Sequence, residues 1–358
     1  MDVERVSAWP LAWAEPGGRP PEAAVSTRVR LARNIAKHPF VNRSSPEQRR
    51  AVVEEVRGAV ESEPLFRDSA LCPLEEMDPV SKGLLVERRL MSPGFLKGCQ
   101  ERVLVLDARG IVSIMVNEED HLRIQVLLGR MALSEAHRIA SAIDRSLYGL
   151  GFAFDPEFGF LTTCPTNVGT ALRASVMLHL PALKLSRAMP ELIAQSGRLG
   201  LVVRGAYGEG TASAGALYQV SNQVTLGLSP DELSEKVETV SVRLAEQEAR
   251  ARELLLEGGQ GIEDRIWRAW GALSYARRMG LSEAMECLSL VRMAQEAGMG
   301  EPFEKVLWEH LFLEVQPAHV QARAGRQLRE EDIELARADL VRDALSRFKD
   351  GPGPGRKE

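Results

Sequence analysis

Three apolar runs between Arg102 and Leu128 constrain this chain more than any other feature. Arg102–Leu106 and Ile111–Val116 are rich in β-branched residues and are joined by Asp107-Ala108-Arg109-Gly110. That linker is a hairpin signal, so the two runs are expected to pair antiparallel. A third run, His121–Leu128, follows after Asn117-Glu118-Glu119-Asp120. Three adjacent carboxylates repel one another. A fold keeps them where they are solvated, or where cations or a catalytic task offset the repulsion. Taken alone, the stretch reads equally well as an acidic turn between strands.

The rest of the chain fits around such a sheet. Pro46 to Ser62 has helical spacing, with Val52, Val53, Val56 and Val60 on one face. Ser134-Glu135 starts a helix that should end near Gly149 and Gly151. Phe158–Thr163 is predicted as a strand leading into Cys164-Pro165, and a helix is predicted over Thr170–Leu180, closed by Pro181. Leu201–Arg204 and Tyr218–Thr225 read as strands separated by a loop with Gly205, Gly208, Gly210 and Gly215. The expected class is α+β, an antiparallel sheet flanked by helices. From Ser229 onward the texture is helical. Ser229-Pro230-Asp231-Glu232 is a capping box with Pro at the first helical position, opening a helix that runs to Gly258-Gly259. Further helices are expected over Ile262–Met279, Ser282–Ala297, Pro302–Val315 and Glu330–Phe348. The expected domains are an irregular lead-in (1–25), a mixed catalytic domain (26–255), a helical domain (256–349) and a disordered tail (350–358).

The 358 residues suffice for two or three domains, and a net charge of −5 argues against a nucleic-acid-binding surface over the whole molecule. Cys72, Cys99, Cys164 and Cys287 are widely spaced with no CxxC pair, which disfavours zinc and a disulfide framework. The N-terminus has no apolar leader and no run is long enough to span a bilayer, so a cytoplasmic protein with reduced thiols is expected. Of 45 basic residues 37 are arginine, so only arginines inside patterned motifs count.

Several arginines meet that condition. In Ser26-Thr27-Arg28-Val29-Arg30, an extended chain points Arg28 and Arg30 to one side and Val29 to the other. Adjacent guanidinium groups repel unless an anion lies between them, and polyphosphate matches their donors bidentately. Arg123 adds a third beside the acidic cluster, Arg173 a fourth and Arg204 a fifth, before the Gly-rich loop that carries Glu209. Five such arginines could neutralise a nucleoside triphosphate without a Walker lysine; no GxxxxGK[ST] or GxGxxG sequence exists here. Cys164 is read either as a small buried hydrophobe or as a thiolate able to contact a cation. His121 is expected to orient the acidic turn rather than to act as a base.

The segments STRVRLARN, NEEDHLRIQ, LTTCPTNVGTALRASVMLHLPAL and RGAYGEG…YQVSNQVTLG resemble the phosphagen (guanidino) kinases, over Ser26 to about Gly227. Within that family the chain looks most like the bacterial protein arginine kinases. The first arginine motif begins at residue 26, leaving no room for the helical N-terminal domain of creatine and arginine kinases.

The resemblance implies ATP with Mg2+ and phosphoryl transfer to a guanidinium nitrogen. It implies that Ser26, Thr27, Arg28, Val29, Arg30, Arg123, Arg173, Ala174, Ser175, Val176, Met177, Arg204, Gly205, Ala206, Tyr207, Gly208 and Glu209 hold the nucleotide. Arg89 stands where the family commonly has a histidine, and a basic side chain there could still meet the nucleotide. Glu119 and Glu209 would grip the acceptor guanidinium, with Cys164 beside it, and the magnesium would be held through the ATP phosphates rather than by protein ligands. Implied partners are protein substrates presenting arginine side chains, a zinc-containing activator, a heat-shock repressor and a Clp ATPase, with marking for Clp-type proteolysis under stress. Neither nucleic acid nor membrane is expected as a partner. A homodimer through the C-terminal helices is expected from the family and from apolar positions such as Ile333, Ala336 and Leu340. One departure concerns the family's C-terminal phosphoarginine pocket, Arg-Asp-x-x-Arg-Ala. Here Ile333 and Glu334 replace its first two residues, while Arg337 and Ala338 fit. The rivals are a kinase for free arginine or another small guanidino compound, and an inactive adaptor that binds phosphoarginine or client proteins.

Overall fold

The computed structural model describes residues 2–14, 22–97, 100–206, 213–258, 260–303 and 308–346. Ten strands run through them: β1 Ala24–Arg33, β2 Ala70–Pro73, β3 Val103–Leu106, β4 Val112–Val116, β5 Leu122–Gly129, β6 Phe154–Asp155, β7 Gly159–Phe160, β8 Leu172–His179, β9 Leu201–Gly205 and β10 Leu217–Asn222. Eight form one sheet in the order β2-β3-β4-β5-β1-β8-β10-β9, while β6 and β7 make a separate hairpin. The expected meander is present: β3 pairs antiparallel with β4, and β4 with β5. Asp107 fixes the first turn by accepting the backbone N–H groups of Ile111 and Val112, both at 2.8 Å. Gly110 has φ +68°, and a Cβ there would lie 2.5 Å from the Pro10 carbonyl oxygen, so glycine is required.

Three local expectations are corrected. Thr170–Leu180 is not a helix. Leu172–His179 is strand β8, laid antiparallel along β1. Leu, Ala, Met and Arg suit helices, and burial of both strand faces erased the period-2 signal; the backbone ladder to β1 overrides that propensity. The predicted strand Phe158–Thr163 shrinks to Gly159–Phe160, and Cys164 precedes a 3₁₀ turn, Pro165–Asn167, rather than a helix. In place of one helix over Pro302–Val315, a helix spans Trp308–Glu314 and a further one Pro317–Ala324.

The chain divides into two compact units. The first comprises 1–178, 193–203 and 219–243. Its sheet has two unlike faces. Val29, Leu31, Ile124, Val126, Leu172 and Ala174 are buried on one, where the Leu133–Ser146 helix packs over β1 and β5. The second comprises 179–192, 204–218 and 244–358 and is mainly helical. Trp308 stacks on Phe312 in its core, with ring centroids 4.6 Å apart. There the fully buried Glu248 accepts the N–H groups of Ala182 and Leu183 at 2.7 and 2.9 Å. Burial pushes its carboxyl up to about 7, even against those two hydrogen bonds. No helix among the described residues is long and apolar enough to cross a membrane.

Candidate active site

The strand register explains the arginines. On β1, Ser26, Arg28 and Arg30 alternate with Thr27, Val29 and Leu31. Thr27 and Val29 point into the helix-covered face. The Thr27 hydroxyl donates to the Arg130 carbonyl at 2.7 Å and accepts from the Ala132 N–H at 3.0 Å. On the other face Arg30 lies directly opposite Arg173 of β8 and Gln125 of β5, and Arg123 is opposite Ala32. Arg28, Arg30, Arg123 and Arg173 therefore share one sheet face. Ser175 is also on it, bonded at 3.3 Å to the Arg28 carbonyl, while Ala174 and Val176 are buried on the opposite side, and Met177 pairs with Ser26.

Gathering like charges has a visible electrostatic signature. Burial, then Arg123 and Arg89, push the Arg28 guanidinium down to about 9. Arg30 is also pushed well down, by burial and then by Arg28, Arg123 and Arg173, with Glu118 acting the other way. Their partners differ. Arg28 donates to Gln219 Oε1 at 2.9 Å, and Arg123 pairs with Glu118 at 2.5 Å. Arg173 donates to Asn167 Oδ1 and to the carbonyls of Thr166, Asn222 and Gln223, so it also braces the loop after Cys164. Arg30 has no hydrogen-bond or ion-pair partner among the described residues, and its buried Nε is unsatisfied. An unsatisfied guanidinium N–H is costly, and an anion in the cleft would satisfy it.

Arg89 follows the Pro79–Glu87 helix with φ +62°, donates to Ser26 Oγ at 3.2 Å and lies 5.0 Å over the Trp13 ring. Arg204 and Gly205 end β9, where Arg204 is exposed; the Ala206 N–H bonds the Leu217 carbonyl at 2.9 Å. Tyr207, Gly208 and Glu209 lie outside the described residues, as do Cys99 and the tail.

The acidic turn separates into three roles. Asn117 adopts φ +61°, and its side chain donates to the carbonyls of Arg49 and Glu101, pinning the turn. Glu118 accepts from Arg123 and from the Ser92 hydroxyl. Asp120 is buried and accepts from Asn34 Nδ2 and the Thr163 N–H, both at 2.7 Å. Glu119 is exposed and has no hydrogen-bond or ion-pair partner among the described residues. Partial desolvation, then the charges of Asp120 and Glu118, raise its carboxyl above the usual range, opposed by Arg123 and Arg173. A carboxylate held so accepts a proton more readily than a fully solvated one.

His121 is structural, as expected. Its Nδ1 accepts the Ile35 N–H and its Nε2 faces the Pro39 carbonyl, each at 3.0 Å, which defines a neutral ring with the proton on Nε2. Burial lowers its pKa. Asn34 was not singled out in the sequence. It joins three segments, donating to Asp120 and the Leu161 carbonyl while accepting the His121 N–H. Its only sequence signal is an amide directly after the Arg28–Arg33 run.

Arg30, Arg123, Arg173, Glu118, Glu119 and Cys164 line one open cleft of about 250 Å3. The Cys164 Sγ lies 3.1 Å from Thr166 Oγ1, and the described cysteines are free thiols. A strip of cations thus shares the cleft with a thiol and with a carboxylate that has no partner among the described residues. The arrangement suits a polyphosphate on the arginines and a cationic acceptor at Glu119.

Residues 51–251 match the family model of the ATP:guanido phosphotransferase C-terminal catalytic domain, and 259–353 match that of the protein-arginine kinase McsB C-terminal domain. The chain belongs to the ATP:guanido phosphotransferase family. It is 44% identical to the protein-arginine kinase of Moorella thermoacetica over 97% of this chain and 99% of that one. It is 41% identical to that of Symbiobacterium thermophilum over 96% and 99%. Among solved structures, lombricine kinase shares the fold with a TM-score of 0.58 and 22% identity over 72% of each chain. The substrate-free duplicated taurocyamine kinase of Schistosoma mansoni matches with TM-score 0.56 and 26% identity. That match covers 63% of this chain and only 33% of the duplicated one.

In the C-terminal stretch, Arg337 is buried and donates to the carbonyls of Val315 and Met279 at 2.7 and 2.8 Å. Glu334 pairs with Arg278 at 2.9 Å.

Proposed function

We propose that the chain is a protein-arginine kinase that transfers the γ-phosphoryl group of ATP to arginine guanidinium groups in proteins. The observation that carries this reading is the cleft lined by Arg30, whose Nε is unsatisfied, and by Glu119, which has no partner among the described residues. Arg28, Arg30 and Arg123 would hold the phosphates, which fits the orphaned Nε of Arg30. Magnesium, entering with the nucleotide, would supply further charge neutralisation.

A guanidinium has a pKa above ~12, and its nitrogen is a poor nucleophile while protonated. Glu119 would orient the planar fork of the acceptor and take up its proton as the N–P bond forms and the bond to the leaving phosphate oxygen breaks. The arginines would offset charge on the transferring phosphoryl group, where such electrostatic contributions are largest. Alignment by the cleft would supply the remainder. Delivery of marked proteins to a Clp-type protease and homodimer assembly extend the same reading.

The test is incubation with magnesium-ATP and an unfolded protein, with free arginine in a parallel tube. Products are read by mass spectrometry without acid. Phosphoarginine on the protein, lost at least ~10³-fold in Glu119→Gln at unchanged melting temperature, is the expected result. Product on free arginine alone would move the chain to the small-molecule guanidino kinases.

A further inference from the structure

Four of the chain's ten phenylalanines lie between residues 152 and 160, in Phe152-Ala153-Phe154-Asp155-Pro156-Glu157-Phe158-Gly159-Phe160. The stretch holds two acids and no base. It forms the β6–β7 hairpin, closed by Asp155, whose carboxylate accepts the N–H groups of Glu157 and Phe158 at 2.8 and 3.0 Å. The rings form a continuous edge-to-face ladder. Tyr148 meets Phe152 at 6.5 Å, Phe152 meets Phe160 at 6.4 Å, and Phe160 meets Phe154 at 5.2 Å. From below, the Arg33 guanidinium lies 3.5 Å from the Phe160 ring centre and is itself held by Asp144. The ladder is therefore braced, yet its ends are in water, Tyr148 71% exposed and Phe154 58%; Phe158, at the hairpin turn beside them, is 48% exposed. About half or more of each of these three rings is open to contact beyond the hairpin.

The hairpin is continuous with the cleft. Phe160 and Gly169 exchange backbone hydrogen bonds of 2.8 and 3.3 Å, which closes a loop bearing Cys164, Thr166 and Asn167 on the cleft wall. Cys164 is four residues from Phe160, about 13 Å of extended chain. A polypeptide with an arginine at Glu119 would reach the rings with residues a few positions away. A further basic residue of the polypeptide beside its apolar one would suit the acidic Glu157.

Resting on the protein-arginine kinase reading, we propose that this aromatic, acid-fringed hairpin is the docking surface for the substrate. The occupant is an extended segment of an unfolded protein, carrying an apolar side chain a few residues from the arginine to be phosphorylated. A folded protein hides such apolar neighbours, so the surface would select unfolded clients, and free arginine could not use it.

The test uses the full chain and two peptides that share one arginine, one with Phe-Leu four residues away and one with Ser-Ser there. Peptide binding is read by fluorescence anisotropy and phosphoarginine formation by mass spectrometry. The double variant Phe154→Ser/Phe158→Ser should raise both Kd and KM for the Phe-Leu peptide about tenfold, since two half-exposed rings lose their contacts. Its kcat, and all constants for the Ser-Ser peptide, should be unchanged. Glu157→Lys should weaken both peptides alike, as an independent check on the charge. Equal binding of the two peptides by the natural chain, or preference surviving in the double variant, would overturn the docking surface. Ring-dependent binding without phosphorylation would overturn the kinase reading and leave the surface supported.

Discussion

Replacing Arg30 by methionine should stabilise the protein and abolish its response to nucleotide. Arg30 is held among Arg28, Arg123 and Arg173, with Glu118 opposing them among the described residues, and its Nε is unsatisfied. Guanidinium groups on neighbouring strands sit roughly 6–8 Å apart, which at an effective dielectric constant near 20 gives ~2–3 kcal/mol for each like-charged pair. Glu118 and solvent at the open cleft offset much of the sum, leaving about 2 kcal/mol of repulsion. Methionine keeps most of the aliphatic stem in place. The melting temperature should therefore rise by roughly 4–8 °C. The assay is a thermal scan with and without magnesium-ATP. At about a hundredfold excess over Kd, nucleotide should stabilise the natural chain by ~2.7 kcal/mol, and the variant by none. A variant that melts lower and keeps the nucleotide shift would refute the reasoning, because Arg30 would then be a satisfied structural cation.

Two further outcomes follow from buried carboxylates. Asp120→Ala should cost ~2–4 kcal/mol, because the amide of Asn34 and the N–H of Thr163 lose their acceptor; chemical denaturation measures this, and a loss below ~0.5 kcal/mol would show that the network is dispensable. Glu248 binds its proton more tightly in the folded state, its carboxyl standing at about 7 instead of near 4.5. Folding stability from this group is thus fully present below about 4.5 and declines, by up to ~3 kcal/mol, as pH rises to about 7. Glu248→Gln should remove that decline, so the variant gains on the natural chain as pH rises through this window. Parallel pH profiles would disprove the assignment.

Much of the site was legible because it is written in strand alternation. Arg28 and Arg30 share a face by period alone, and the hairpin turn at Asp107–Gly110 follows from its residues. The neighbours of Arg173 are good helix formers and predict a helix there; only pairing with β1 shows that it lies opposite Arg30 across a ladder. The turn Glu118-Glu119-Asp120 announced a carboxylate cluster but not which member is free. That depends on Arg123, Ser92 and Asn34, which reach the turn from other segments.

The sequence alone determined the local periods, the turn chemistry, the family motifs and hence the class of reaction. Tertiary structure decided which of three identical charges has no partner among the described residues, that the Arg30 Nε in the cleft is unsatisfied, and that Tyr148 and three phenylalanines form a braced ladder whose ends reach water. The physical reason is that desolvation and pairing are properties of the groups around a residue. Chain positions far apart supply those groups, and no period within a single segment encodes them.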